Sequence, residues 1–204
     1  MTIKQPKYVK SVCIFCGSRP GTNPVHRNAA IRLGQLLSKN GIRLVYGGGH
    51  VGLMGIIADQ VLENGGQVIG VIPEFLERLE VGHDGLTEKI KTDSMHTRKQ
   101  RMFDLSDAFI SMPGGLGTLD ETFEIITWKQ LRLHNKPIII MDNDGYWQPF
   151  EELIQSAING GFADVKAAQL YTTANGPDQA LKALEIDVHQ PQISSLDTAK
   201  PERF

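Results

Sequence analysis

Residues 113–121 read Pro113-Gly114-Gly115-Leu116-Gly117-Thr118-Leu119-Asp120-Glu121, and the rest of the chain is patterned around them. Before them, Asp107-Ala108-Phe109-Ile110-Ser111-Met112 is a short apolar run suited to a buried strand. After them, Phe123, Ile126, Thr127 and Gln130 fall at helical spacing across residues 122–133. A strand, a Gly-rich turn and a helix in that order make an anion site. Glycines let backbone N–H groups approach the anion closely, and the helix N-terminus adds partial positive charge. A phosphate is the natural guest. The same residues also admit a purely structural reading. Thr118 and Glu121 have the spacing of a capping box, and Gly115 and Gly117 could serve only the turn.

Outward from this stretch, apolar runs alternate with amphipathic ones. Strands are expected at 10–16, 42–46, 67–72, 136–141 and 170–173, and helices at 25–38, 53–63, 94–105, 147–158 and 177–184. Between 74 and 93, acids and glycines break the pattern, which reads as a loop-rich connection holding a short helix and an edge strand. Nearly all-apolar strands alternating with helices predict a doubly wound, Rossmann-like parallel sheet of the α/β class. One domain over 1–188 is expected, with a polar tail at 189–204 that reads as disordered. In such sheets ligands gather at the carboxyl ends of the strands. Three Gly-containing turns fall there: Gly17-Ser18, the run from Gly47 to Gly52, and Gly114 to Gly117.

The 204 residues are 41% hydrophobic, enough for one full core. Twenty-one basic against 23 acidic residues leave a net charge of −2, which argues against a general nucleic-acid or membrane-surface binder. The first residues, Met-Thr-Ile-Lys-Gln-Pro-Lys, lack the apolar core of a secretory signal, so a cytoplasmic location is expected. Cys13 and Cys16 form C-x-x-C, but they sit on a predicted strand. A redox pair needs a helix N-terminus to lower its thiolate pKa, so the structural reading is preferred.

Gly47-x-Gly49-x-x-Gly52 also fits the dinucleotide fingerprint, with Glu74 after the next strand as the ribose acid. An NAD-dependent oxidoreductase is therefore a rival. Against it, the fingerprint normally follows the first strand of its unit, and here a strand and a helix precede it.

Taken together, Met95-His96-x-Arg98-Lys99, Pro113-Gly114-Gly115-x-Gly117-Thr118-x-x-Glu121 and Ile126-Thr127-Trp128 resemble the LONELY GUY family. Gly47-Gly48-Gly49, Gly52-Leu53-Met54-Gly55 and Val71-Ile72-Pro73 extend the resemblance over roughly residues 10 to 165. These are cytokinin riboside 5′-monophosphate phosphoribohydrolases, older members of which were mislabelled lysine decarboxylases. The older label would need a pyridoxal-phosphate lysine in a matching site, and none is evident.

The resemblance implies a Rossmann-like fold and hydrolysis of the N-glycosidic bond of a nucleoside 5′-monophosphate to free base and ribose 5-phosphate. It also implies a homodimer or larger assembly with the site near the subunit interface. By the family's pattern Arg98 and Glu121 are the catalytic pair. Lys99 and the turn of Gly114, Gly115, Leu116, Gly117 and Thr118 hold substrate, and Glu80 and Thr127 line the pocket; Gly17, Ser18, Gly47, Gly48 and Gly49, on the other two Gly-containing turns, are further candidates for binding substrate or its phosphate. Around Glu80 the match is loose, and its assignment rests on its spacing from Arg98. No cofactor is implied. The second candidate function is a non-catalytic nucleotide or cofactor carrier on the same fold.

The chemistry suits these residue types. Glycosidic cleavage builds positive charge on the sugar, which a carboxylate such as Glu121 would stabilise. Arg98 stays charged and is better suited to offsetting negative charge than to giving up a proton. His26, His50, His83, His96 and His134 show no metal-ligand spacing, so no metal is expected. Asp142-Asn143-Asp144-Gly145 begins like a calcium loop but lacks its closing acid and reads as a turn. Trp128 and Trp147 read as core or interface residues.

Overall fold

The structure, a computed structural model, describes residues 9–77 and 82–189. Its elements in chain order are β1 (Ser11–Phe15), α1 (Pro24–Lys39), β2 (Arg43–Tyr46), α2 (Gly52–Glu63), β3 (Val68–Pro73), α3 (Glu74–Glu77), β4 (Glu88–Thr92), α4 (Met95–Asp104), β5 (Ala108–Ser111), α5 (Leu116–Gln130), β6 (Ile138–Asp142), α6 (Gln148–Asn159), β7 (Thr172–Asn175) and α7 (Pro177–His189). The sheet has seven strands in the order β4-β3-β2-β1-β5-β6-β7, and every pair is parallel. From β1 the chain steps outward to β4, then crosses back and steps outward again from β5. The reversal puts a topological switch point between β1 and β5, as the alternating pattern predicts.

Two cores sandwich the sheet. Leu33, Leu37 and Ile57 from α1 and α2 pack on one face with Leu181 and Leu184 of α7. Met102, Ile125, Ile126 and Phe150 from α4, α5 and α6 pack on the other. Central strands such as Val68–Pro73 are buried along their whole length, which is why they read as unbroken apolar runs.

One edge meets the sequence expectation and three details depart from it. β4 is the anticipated edge strand, and its Glu88-Lys89-Ile90-Lys91-Thr92 pattern is weak because one side faces solvent. β7, the opposite edge, lies two residues later than the apolar run suggests, because Thr172, Thr173 and Asn175 carry its polar rim. α5 opens at Leu116, inside the quoted stretch, with extended Gly115 as its N-cap. α7 runs on to His189, past the expected domain boundary. The remainder of the expected tail, 190–204, lies outside the described residues. No helix among the described residues is long and apolar enough to cross a membrane.

Candidate active site

Backbone hydrogen bonds draw the three Gly-containing turns together over the switch point. The Gly17 N–H donates to Pro113 O at 3.0 Å, and the Leu53 N–H donates to Gly17 O at 3.0 Å. A Cβ on Gly17 would stand 3.2 Å from Gly114 Cα, and one on Gly52 would stand 2.2 Å from the Ser18 carbonyl carbon. Gly52 also has φ +68°, so both space and backbone demand glycine there. Ser18 is exposed at the rim of this junction.

Arg98 comes from the first turn of α4, whose N-cap Ser94 accepts from the Thr97 N–H at 3.1 Å. Arginine is rarely buried without partners, yet Arg98 is only 5% exposed. Nε donates to Val71 O and Nη2 to Gly47 O, both at 3.1 Å, which fixes the guanidinium over the ends of β3 and β2. A Cβ on Gly47 would fall 2.1 Å from Nη2. Gly47 is thus the socket for Arg98, and Gly47, Gly48 and Gly49 are all buried. A dinucleotide pyrophosphate needs the space that this guanidinium fills. The fingerprint here is a packing device, and the oxidoreductase reading loses its geometric basis.

The turn after β5 is built differently. Gly115 and Gly117 are exposed with nothing within 4 Å of an added Cβ, and no side chain caps α5. Thr118 is the third residue inside the helix and 5% exposed, so it cannot be the N-cap that a capping box requires. The capping-box reading of Thr118 and Glu121 therefore fails. Amides at the start of an uncapped helix are an open anion site. Below it, the Thr122 hydroxyl meets Thr118 O at 2.7 Å and Ser111 Oγ at 2.8 Å, which ties the first turn of α5 to β5.

Glu121 lies one turn further along α5 and is half-buried. Burial first, and then the negative charge of Glu121, push the thiols of Cys13 and Cys16 upward, while Arg98 pulls Cys13 back down. Arg98 sits over the carboxyl ends of β2 and β3, and Glu121 lies on the helix that follows β5, so the sheet topology brings both groups to the same end of the sheet. The thiols themselves are buried and protonated, as the strand reading of C-x-x-C expects.

Lys99 reaches across from α4 to α5. Its Nζ lies 3.1 Å from Asp120 Oδ2 and 3.0 Å from Glu124 Oε1, bridging α4 to α5. Burial disfavours its charge, but the bonds to Glu124 and Asp120 outweigh that and hold its pKa above the ordinary value. A lysine clasped by two carboxylates is poorly placed to form a Schiff base. Thr127 is exposed on α5, and Glu80 lies outside the described residues. Trp147 is core at 1% exposure, and half-buried Trp128 stands edge-on to Phe103.

Two features escaped the sequence reading. The Tyr146 hydroxyl donates to Gly114 O, linking the loop after β6 to the anion turn. His50, Asp59 and His83 also converge, with ligand-capable atoms within 4.8 Å of one another. His83 Nδ1 accepts from the Gly85 N–H at 3.0 Å, which puts its proton on Nε2, donated to Asp59 Oδ1 at 2.8 Å. A metal on Nε2 would need the opposite tautomer, so this trio serves as a strut joining α2 to the segment before β4.

Fold and geometry define an α/β protein of Rossmann type that offers an open helix N-terminus beside a buried arginine and a carboxylate. Residues 54–184 match the family model described as "Possible lysine decarboxylase". A rice relative named probable cytokinin riboside 5′-monophosphate phosphoribohydrolase LOGL5 is 43% identical over 182 residues, 89% of this chain and 74% of the relative. A Rhodococcoides fascians protein named cytokinin riboside 5′-monophosphate phosphoribohydrolase is 45% identical over 154 residues, 75% of this chain and 78% of its own. The chain belongs to the LONELY GUY family. Among solved structures, the molybdenum cofactor binding protein of Rippkaea orientalis superposes with TM-score 0.65 at 20% identity, covering 91% of this chain and 98% of its own. That likeness is one of fold.

Proposed function

We propose that this chain is a phosphoribohydrolase that cleaves the N-glycosidic bond of cytokinin riboside 5′-monophosphates, and of AMP, to free base and ribose 5-phosphate. The observation that carries this reading is the open N-terminus of α5, with Glu121 one helical turn behind it. The 5′-phosphate sits on the amides of residues 115–118, and its binding energy holds ribose C1′ toward Glu121. As the C1′–N bond breaks, Glu121 stabilises the oxocarbenium-like sugar and orients the water that adds to C1′. Arg98, held by two carbonyls, keeps its charge and offsets the electrons that depart with the base. The base leaves with a proton, and the sugar keeps the hydroxyl.

A cytoplasmic homodimer or larger assembly belongs to the same proposal. Leu116 at the start of α5 is 86% exposed, and Leu131, just past its end and one turn from exposed Thr127, is 63% exposed. Exposed leucines at both ends of this helix favour a protein partner, and Thr127 would line a pocket only if a second copy covered that face. Light scattering on the purified chain tests the assembly.

The activity is tested by incubating the protein with AMP and isopentenyladenosine monophosphate and following free base by chromatography. Equal molar release of base and ribose 5-phosphate is expected. Tight binding with no base released from any purine monophosphate would overturn the hydrolase reading in favour of a carrier.

A further inference from the structure

An amide cradle holds an anion only if the carbonyls of the same turn face elsewhere. In the turn after β5, the Pro113 carbonyl is occupied by the Gly17 N–H at 3.0 Å. The next peptide joins Gly114 to Gly115 and has no Cβ on either side to restrain its rotation, so little in the turn itself decides which way it faces. Its carbonyl oxygen accepts from the Tyr146 hydroxyl, 32 residues away in sequence. Because a trans peptide is planar, with C=O and N–H pointing opposite ways, fixing the Gly114 oxygen also aims the Gly115 N–H.

Tyr146 is itself well held. Asp142 Oδ1 accepts from the Gly145 N–H at 3.0 Å, and Asn23 Nδ2 donates to Asp144 Oδ2 at 2.8 Å, which ties this loop to the start of α1. The tyrosine ring stands edge-on to Trp147, with centroids 5.4 Å apart, and to the buried His26 at 6.1 Å. Nothing in the proposed chemistry otherwise requires a hydroxyl at this position.

We infer that Tyr146 is a positioning residue for the phosphate: it turns the Gly114–Gly115 peptide so that its N–H, and not its carbonyl, faces the anion. The inference rests on the anion-site reading above and adds a residue that lies outside the Gly-rich stretch. Tyr146 does not touch the reacting atoms and acts through the backbone of the turn.

The test compares wild type with Tyr146→Phe, which keeps the ring and removes the hydroxyl. Calorimetric titration with ribose 5-phosphate and with inorganic phosphate should show both binding about fivefold more weakly to the variant, the scale of one lost hydrogen bond. KM for AMP should rise by a similar factor, with kcat within about twofold and the melting temperature within about 2 °C. In an ¹⁵N spectrum, the shift of the Gly115 amide on adding phosphate should shrink in the variant. Asn23→Ala, which loosens the loop but keeps the hydroxyl, should weaken phosphate binding in the same direction by less. Wild-type binding constants retained in Tyr146→Phe, or a lower melting temperature with unchanged KM, would overturn the inference and leave the hydrolase reading intact. A wild type that neither binds ribose 5-phosphate nor releases base overturns the site reading instead.

Discussion

The two Gly-rich turns share a vocabulary and do opposite work. In the turn after β2, glycine is needed for what is already there: Arg98 fills the space at Gly47, the Ser18 backbone fills the space at Gly52, and all three glycines from 47 to 49 are buried. In the turn after β5, glycine is needed for what is left open: Gly115 and Gly117 are exposed, and a Cβ added to either would meet nothing within 4 Å. One helix start is closed by the Gly17 carbonyl, and the other has no side-chain cap. A G-x-G pattern therefore specifies close approach of something to backbone. Whether that is a ligand or the protein's own side chain depends on residues far away in sequence.

Four experiments break or sharpen this contrast. The largest effect belongs to Glu121→Gln, which leaves the open turn intact but removes the charge behind it. Base release should fall about a thousandfold, while ribose 5-phosphate affinity and melting temperature stay near wild type. Intact turnover in a destabilised variant would return Glu121 to a structural role. Next comes Gly47→Ala, on the closed turn. Displacing the buried guanidinium should lower kcat about a hundredfold and cost about 3 kcal/mol in urea denaturation.

Gly117→Ala, on the open turn, should separate function from stability. An alanine in the first turn of α5 meets no neighbour, so the fold should gain about 0.5 kcal/mol, whereas ribose 5-phosphate binding should weaken several-fold, by about half an order of magnitude. Loss of both together would mean that the open turn is packed like the closed one. The smallest effect concerns His134, which anchors the far end of α5. Its Nε2 donates to Ile125 O at 2.9 Å and its Nδ1 accepts from the Lys136 N–H at 3.1 Å, so the ring is held neutral. Burial, followed by the charges of Lys129 and Lys136 and opposed by the Ile125 bond, lowers its pKa. The stability this contributes is complete above the unfolded value of about 6.5 and is lost as pH falls toward the depressed folded value. Thermal melts from pH 7.5 to 5 should show that decline, and His134→Gln should flatten it.

Much of this was legible from residue order. Alternating apolar runs define the strands of a parallel sheet, and the three turns meet at its switch point as the spacing of Gly17, Gly47 and Gly114 implied. Edges were harder to read, because Glu88, Lys89 and Lys91 on β4 and the threonines of β7 satisfy solvent on one side. The start of α5 was missed, since an uncapped glycine N-cap carries no signal of its own. The burial of Arg98 had no sequence signal, because helical periodicity describes only its own helix and the carbonyls that bury it belong to β3 and the turn after β2. Lys99 with Asp120 and Glu124, Tyr146 with Gly114, and His83 with Asp59 are likewise tertiary pairings with no local pattern.

The place of β1 in the sheet has a consequence for biosynthesis. β1 pairs with β2 on one side and with β5 on the other, at Cys13↔Val45 and Cys13↔Phe109. A nascent chain that has emerged only as far as β3 can form the first half of the sheet, with the flank of β1 exposed until β5 arrives. Open strand flanks invite mispairing between chains. Truncations ending before Ala108 should therefore aggregate, while those that reach past β5 should stay soluble longer, with chaperone demand concentrated in the interval between them.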